Sequence, residues 1–148
     1  MIRTLEDIVK KAQNQSKMTL AVAAAQDSDV LQAVIRSKSQ GIIDAILVGD
    51  ENKIRKIARE QNLDIEPFTV VNIPDLMDSA LEAVKMVSAG KADFVMKGLL
   101  DTSILLKAVL DKEVGLRTNS LLSHVMVYEI PNYHKLLFLT DGGMNISP

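Results

Sequence analysis

Residues 18–24 read MTLAVAA, a continuous apolar run without polar alternation, as a strand covered on both faces requires. The residues after it, AQDSDVLQAVI, predict a helix from about Ser28 with Val30, Leu31, Val34 and Ile35 on one face. Working outward, the same pair recurs. Asp44 to Val48 reads as a buried strand, Gly49-Asp50 as a turn and cap, and Glu51 to Gln61 as a helix burying Ile54, Ile57 and Ala58. Thr69 to Ile73 is strand-like, and Pro74-Asp75 opens a helix that turns Leu76, Met77, Ala80, Leu81, Val84 and Val87 inward. Gly90 ends that helix and Asp93 to Met96 returns to strand. Upstream, Thr4 precedes a surface helix with Leu5, Ile8, Val9 and Ala12 on one stripe and Glu6 and Asp7 in its first turn. Strands alternating with helices predict an α/β fold: a three-layer sandwich around a mostly parallel sheet, all strand carboxyl ends at one edge.

Beyond Gly98 the pattern changes. Asp101-Thr102 reads as the N-cap of a helix apolar almost all round (Ile104, Leu105, Leu106, Ala108, Val109, Leu110), an element expected to be central and packed on several sides. Leu121 to Ile130 and Lys135 to Thr140 then read as two strands joined as a hairpin through Pro131-Asn132.

Composition narrows the chemistry. The 148 residues suit one domain with a real core. A net charge of −2, with 17 basic against 19 acidic residues, provides no basic field for nucleic acid. With no cysteine there is no thiolate nucleophile, iron–sulfur cluster or Cys-based zinc site; two histidines, His124 and His134, exclude a multi-His metal site. The most apolar window, Ile42 to Val48, is too short to cross a bilayer, and MIRTLEDIVKK lacks the features of a secretory signal, so a cytoplasmic protein with no membrane partner is expected.

Ligands of open α/β sheets bind beyond the strand carboxyl ends. Those positions carry Ala25-Gln26-Asp27-Ser28, Gly49-Asp50, Lys97-Gly98 with Asp101-Thr102-Ser103, and Asp141-Gly142-Gly143 with Asn145. Taken singly, Asp27, Ser28, Asp50 and Asp101 are helix caps; only their convergence argues for a site. Lys97-Gly98 has two readings: backbone amides and an ammonium approaching a phosphate, or a tight turn with Lys97 reaching water. Arg117 lies in a polar loop and suits phosphate oxygens, as does Lys107 more weakly. Neither a Walker spacing nor a G-x-G-x-x-G follows a strand, which counts against a nucleotide triphosphatase or a dinucleotide site. His124 reads as a structural histidine in a strand, His134 as a turn residue, and Lys53, Arg55, Lys56 and Arg59 as the wet side of a helix.

Five segments go further when taken in order: TLAVAAAQDSDVLQAV, GIIDAILVGDENKI, ADFVMKGLLDTSILLKAVLDKEVGLRT, LLSHVMVYEIP and KLLFLTDGGMNISP. From about Thr19 to Pro148 they resemble the N-terminal half of the phosphate acetyl/butyryltransferase family, on its phosphate butyryltransferase side. The resemblance implies a two-domain α/β architecture of the isocitrate/isopropylmalate dehydrogenase-like type, with residues 1–148 as the N-terminal domain and the C-terminal domain not in the chain. It implies transfer of an acyl group between coenzyme A and orthophosphate, with acyl-CoA, coenzyme A and orthophosphate as ligands, no metal, and no cofactor beyond coenzyme A as substrate or product. It further implies that Lys97, Gly98, Thr102 and Ser103 lie at a cleft, that Arg117 faces phosphate or coenzyme A, and that Asp141, Gly142 and Asn145 line the floor. Asp101 stands where acetyltransferase relatives carry histidine, and Asn119 where a glycine is expected after GLRT. The catalytic serine, arginine and aspartate of the family belong to its second half, so the isolated chain is expected to be nearly inactive. A homo-oligomer, dimer or larger, is implied too. The competing expectation is a catalytically incomplete domain that binds coenzyme A or phosphate as a ligand sensor, or serves as an oligomerisation scaffold.

Overall fold

The computed structural model describes residues 1–143 and 145. The chain divides into two compact units, Lys17–Arg117 and a second formed by residues 1–16 together with residues from 118 onward.

The Lys17–Arg117 unit is the α/β sandwich that the sequence predicts. Four strands, β1 (Met18–Ala23), β2 (Ile43–Gly49), β3 (Thr69–Asn72) and β4 (Phe94–Lys97), form a parallel sheet in the order β3-β2-β1-β4. β1 runs from Met18 opposite Ile43 to Ala23 opposite Val48 on one side, and pairs Leu20 to Ala23 with Phe94 to Lys97 on the other. Side chains alternate along β1, so its two faces enter different cores. Leu20 and Val22 pack with Leu31 and Val34 of α2 (Ser28–Ser39) and with Ile54 and Ala58 of α3 (Glu51–Glu60). Ala21 and Ala23 pack with Ala80, Ala83 and Val84 of α4 (Leu76–Ser88) and with Ala108 of α5 (Thr102–Val109). Three of the helix starts are fixed by carboxylates: Asp27 accepts from the Val30 amide, Asp50 from Lys53, and Asp75 from Met77 and Asp78. Gly90, at φ +72, closes α4 in the left-handed conformation.

Two expectations need correction. Of the face expected for α4, Ala80 and Val84 are buried and Leu81 and Val87 pack against the core, but Ser79, Ala83 and Met86 are buried too, while Leu76 is 37% exposed. Small side chains meet the alanine-lined sheet face, and the larger apolar residues of the first turn lie beyond it. α5 is not buried all round: Ala108 is its one buried residue, and Ile104, Leu105 and Leu106 are half-buried.

In the other unit, α1 (Leu5–Gln13) starts at a capping box in which Thr4 accepts from the Asp7 amide. The hairpin consists of β5 (Val125–Tyr128) and β6 (Leu137–Thr140), antiparallel with Val125 opposite Thr140. It is shorter than the sequence suggests, and His124 lies just before β5 instead of within a strand. The Leu5 amide donates to the Glu129 carboxylate at 2.8 Å. No described residue of this unit is buried.

Candidate functional site

β1 is where the sheet order reverses, because β2 and β3 extend from one side of it and β4 from the other. Ligands of open α/β sheets favour the carboxyl edge at such a reversal. Residues after β1 and β4 therefore decide what this edge can hold.

Ala24 follows β1 with φ +56, a left-handed conformation that is strained for a residue with a Cβ. Its amide donates to the Ser79 hydroxyl at 2.8 Å, and that hydroxyl donates to the Val48 carbonyl at 3.2 Å. Ser79 is fully buried, so one side chain on α4 clasps the ends of β1 and β2 and holds the turn. Gln26, also buried, accepts from the Asp50 amide at 3.2 Å through Oε1. Gly49, at the end of β2, has φ +156, and a Cβ there would come within 2.1 Å of that oxygen and 3.1 Å of the Ala25 nitrogen.

The same turn receives β4. The Gly98 amide donates to the Ala23 carbonyl and the Leu99 amide to the Ala24 carbonyl, each at 2.8 Å. A Cβ at Gly98 would lie 2.2 Å from the Ala24 oxygen, so glycine is required by close backbone approach. Of the two readings of Lys97-Gly98, the structure favours the tight turn: both amides that would face an anion are taken by the carbonyls of Ala23 and Ala24. Lys97 folds over this turn, donating to the Leu100 carbonyl at 2.8 Å and to the Gly98 carbonyl at 3.4 Å. An ammonium has three donors, so Lys97 retains one beyond these two contacts.

Asp101 occupies the N-cap position of α5 but makes no side-chain cap bond, a correction to its reading as a cap. The first amides of a helix have no intrahelical acceptor, and Thr102 and Ser103 present theirs at an exposed helix start beside their own hydroxyls. Lys97, Thr102 and Ser103 thus belong to one short segment of the sheet edge whose unused donors suit an anion.

Arg117 leaves a wound loop. Asp111 accepts from the amides of Val114 at 2.9 Å and Glu113 at 2.8 Å, which hold its carboxyl below the ordinary range. Gly115 packs so closely that a Cβ would meet the Asp111 backbone carbonyl oxygen at 2.4 Å. Arg117 itself is exposed, with no ion pair among the described residues; Lys107 is exposed near the end of α5.

Asp141, Gly142 and Asn145 belong to the other unit. Asp141, at φ +53, exchanges backbone bonds with the segment before β5: its amide donates to the His124 carbonyl at 2.7 Å, and its carboxylate accepts from the His124 amide at 3.3 Å. Asn145 Nδ2 donates to the same carboxylate oxygen at 2.7 Å and to the Leu122 carbonyl at 3.0 Å. A Cβ on Gly142 would meet only ordinary contact with Leu139, at 3.5 Å, so nothing in its packing requires glycine. The structure therefore joins Asp141 to Asn145 and assigns Lys97, Gly98, Thr102, Ser103 and Arg117 to a separate unit. His124 is exposed and bonded through its backbone; the ring of His134 lies 4.8 Å from that of Tyr133 in the hairpin turn. Ser79 was not legible as part of this edge, since a lone serine in an apolar helix gives no pattern.

Among the described residues, no cluster of three or more His, Cys, Asp or Glu could hold a metal ion, and no helix is long and apolar enough to cross a membrane. Compared with known proteins, residues 3–79 and 75–148 match the family described as phosphate acetyl/butaryl transferase. A phosphate butyryltransferase of Clostridium acetobutylicum is 48% identical over all 148 residues, which cover 49% of that protein. A phosphate acetyltransferase of Thermotoga maritima is 38% identical over 97% of this chain and 48% of its own. The crystal structure of a branched-chain phosphotransacylase from Enterococcus faecalis superposes with a TM-score of 0.66 at 28% identity, over 88% of this chain and 44% of that one. The chain spans about half the length of the curated relatives it matches.

Proposed function

The chain belongs to the phosphate acetyl/butaryl transferase family, and from that premise we propose that it supplies the N-terminal α/β part of an enzyme moving an acyl group between coenzyme A and orthophosphate. The observation that carries this reading is the match to a phosphate butyryltransferase along the whole chain, at 48% identity. In the reaction an orthophosphate oxygen attacks the thioester carbonyl carbon, the carbon–sulfur bond breaks, and the departing sulfur takes up a proton to give acyl phosphate and free coenzyme A. The step needs anionic phosphate held against the carbonyl, its charge balanced, and a proton delivered to the sulfur.

The free donor of Lys97 and the amides and hydroxyls of Thr102 and Ser103 suit the first requirement, and the unpaired guanidinium of Arg117 suits phosphate or coenzyme A. Gly98 serves by setting the turn; in the other unit Asp141, Gly142 and Asn145 are the residues that the family resemblance assigns to ligand contact. The groups that manage the proton belong to polypeptide beyond the matched half, no metal takes part, and the acyl group is butyryl or another short or branched chain. The working enzyme is cytoplasmic and self-associates as a dimer or larger.

The test is phosphate-dependent release of thiol from acetyl-, butyryl- and branched acyl-CoA by this chain together with the half of the C. acetobutylicum enzyme that it does not match. Lys97→Ala and Arg117→Ala should each raise the KM for phosphate or coenzyme A by about tenfold or more. Thiol release that is indifferent to phosphate and to both substitutions would remove the reading.

A further inference from the structure

Among the described residues two polar side chains are buried, Ser79 at 0% exposure and Gln26 at 6%, and they are used differently. The Ser79 hydroxyl both accepts and donates. Gln26 uses only half of its amide: Oε1 accepts from the Asp50 amide, and Nε2 donates to no described residue. The Asp50 N–H fixes which end is oxygen, since Nε2 in that place would set two donors against each other. Every fully buried side-chain nitrogen or oxygen among the described residues has a partner, so Nε2 reaches the surface. A brace to Asp50 needs an acceptor alone, and at 3.2 Å this one is at the long end of the N–H···O range. The NH2 of an otherwise buried amide is costly to leave without an acceptor, and bracing does not account for it.

The position of Gln26 does. It belongs to the turn that receives β4 through the Ala23 and Ala24 carbonyls, and it lies on the β2 side of that turn, while Lys97 lies on the β4 side. β1 separates the two sides, about 10 Å or two strand spacings across. They differ in charge. The β2 side carries Asp27 and Asp50 as helix caps, with Asp29 and Glu51 in the first helical turns. Its cations are matched already, Lys53 to Asp50 and Arg55 to Glu51. The cap carboxylates also take the Val30 and Lys53 amides. An anion is repelled there, and a lone neutral N–H donor suits a neutral carbonyl oxygen.

We propose that Gln26 binds the arm of coenzyme A: Nε2 donates to an amide carbonyl of the pantetheine portion while orthophosphate is taken on the Lys97 side. This rests on the reading of the chain as part of an enzyme that moves an acyl group between coenzyme A and orthophosphate. The pantetheine arm offers neutral amide carbonyls and orthophosphate offers none, and an extended arm leading away from the thioester spans the width of β1. Gln26 touches no reacting atom, so its bond is equally strong in the ground and transition states.

The test joins two substitutions to a measurement that needs no turnover. Gln26→Glu keeps an oxygen for the Asp50 amide and removes the NH2; Gln26→Met keeps the volume and removes both. In the chain assembled with the unmatched half of the C. acetobutylicum enzyme, each should raise the KM for butyryl-CoA and for butyryl-pantetheine about threefold to tenfold. The kcat and the KM for phosphate should stay within about twofold. In the unsubstituted chain, with and without that half, coenzyme A should shift the side-chain amide resonances of Gln26 and orthophosphate should leave them in place. An unchanged KM for butyryl-CoA in Gln26→Glu would mark Gln26 as a brace alone. That result, a defect in the KM for phosphate, or resonances that coenzyme A does not move overturns the proposal. The functional reading fails separately: thiol release indifferent to phosphate in the unsubstituted assembly removes the acyl transfer, and the resonance shift still decides the role of Gln26.

Discussion

β1 and the β5–β6 ribbon are both written in apolar residues, yet their environments are opposite. Leu20 to Ala23 are 3% exposed or less, while Val125, Phe138 and Leu139 are each about half exposed or more. The difference lies in what surrounds them in sequence. β1 is bracketed by strands and by helices that return to both of its faces, so every apolar side chain meets another layer. The ribbon follows a polar loop, and α1 beside it in the same unit leaves Val125, Phe138 and Leu139 exposed. Apolarity makes a strand able to be buried; neighbouring layers decide whether it is.

The largest expected effect sets these regions directly against each other. Leu47→Ala, at a fully buried position of β2, should cost about 2–5 kcal/mol in denaturant unfolding, whereas Phe138→Ala in the isolated chain should stay within about 0.5 kcal/mol. Equal losses would mean that the ribbon shares the core of the sheet.

Next is Ser79→Ala. It leaves the Ala24 amide without its buried acceptor and should cost about 1–3 kcal/mol. Because Ala23 and Ala24 carry the Gly98–Leu99 turn, amide shifts should reach Lys97 and Leu100 and leave β5 and β6 unchanged. A perturbation confined to α4 would show that the clasp does not position this edge.

Smaller still is the contrast between two helix starts. Asp50→Ala removes a cap that accepts from the Lys53 amide and should cost about 1 kcal/mol, whereas Asp101→Ala, which removes no such bond, should be within about 0.5 kcal/mol. Matching losses would mean that Asp101 caps α5 in solution.

The smallest effect is that of acid on the Lys17–Arg117 unit. The folded carboxyls of Asp44, beside the Lys38 ammonium, of Asp50, bonded by the Lys53 amide, and of Asp111, bonded by the Val114 and Glu113 amides, lie below their ordinary value of 3.8. A depressed carboxyl contributes stability fully above its unfolded value and loses it as pH falls through the folded one. The Lys17–Arg117 unit should therefore be level from pH 5 to 8 and weaken below about pH 4. A midpoint near neutrality in a pH series of melts would contradict this.

Much of the α/β unit was legible in sequence because its strands and helices carry clean periods and strong caps. Thr4, Asp27, Asp50 and Asp75 start helices where their spacing says they should. Hydrophobic pattern placed Ala80, Leu81, Val84 and Val87 of α4 against the core, but size-weighted reading favoured Leu76 and missed Ser79 and Ala83, which close helix–sheet approach selects. It misread α5 too, because an apolar helix reports what it could bury and not how many neighbours it has. At the candidate site, Lys97, Thr102 and Ser103 were legible as a cluster from the rule for sheet edges. The role of Gly98 was not decidable, since a glycine that admits an anion and one that admits a backbone look alike in sequence. Only the carbonyls of Ala23 and Ala24 distinguish them.

The chain holds one well-covered core and one ribbon whose apolar faces are exposed. Amide hydrogen exchange on the folded, monomeric 148-residue chain tests it most directly. The amides of β1 and β2 should exchange only through global opening, while those of β5 and β6 exchange orders of magnitude faster. Equal protection of the two regions, with a single cooperative opening, would contradict it.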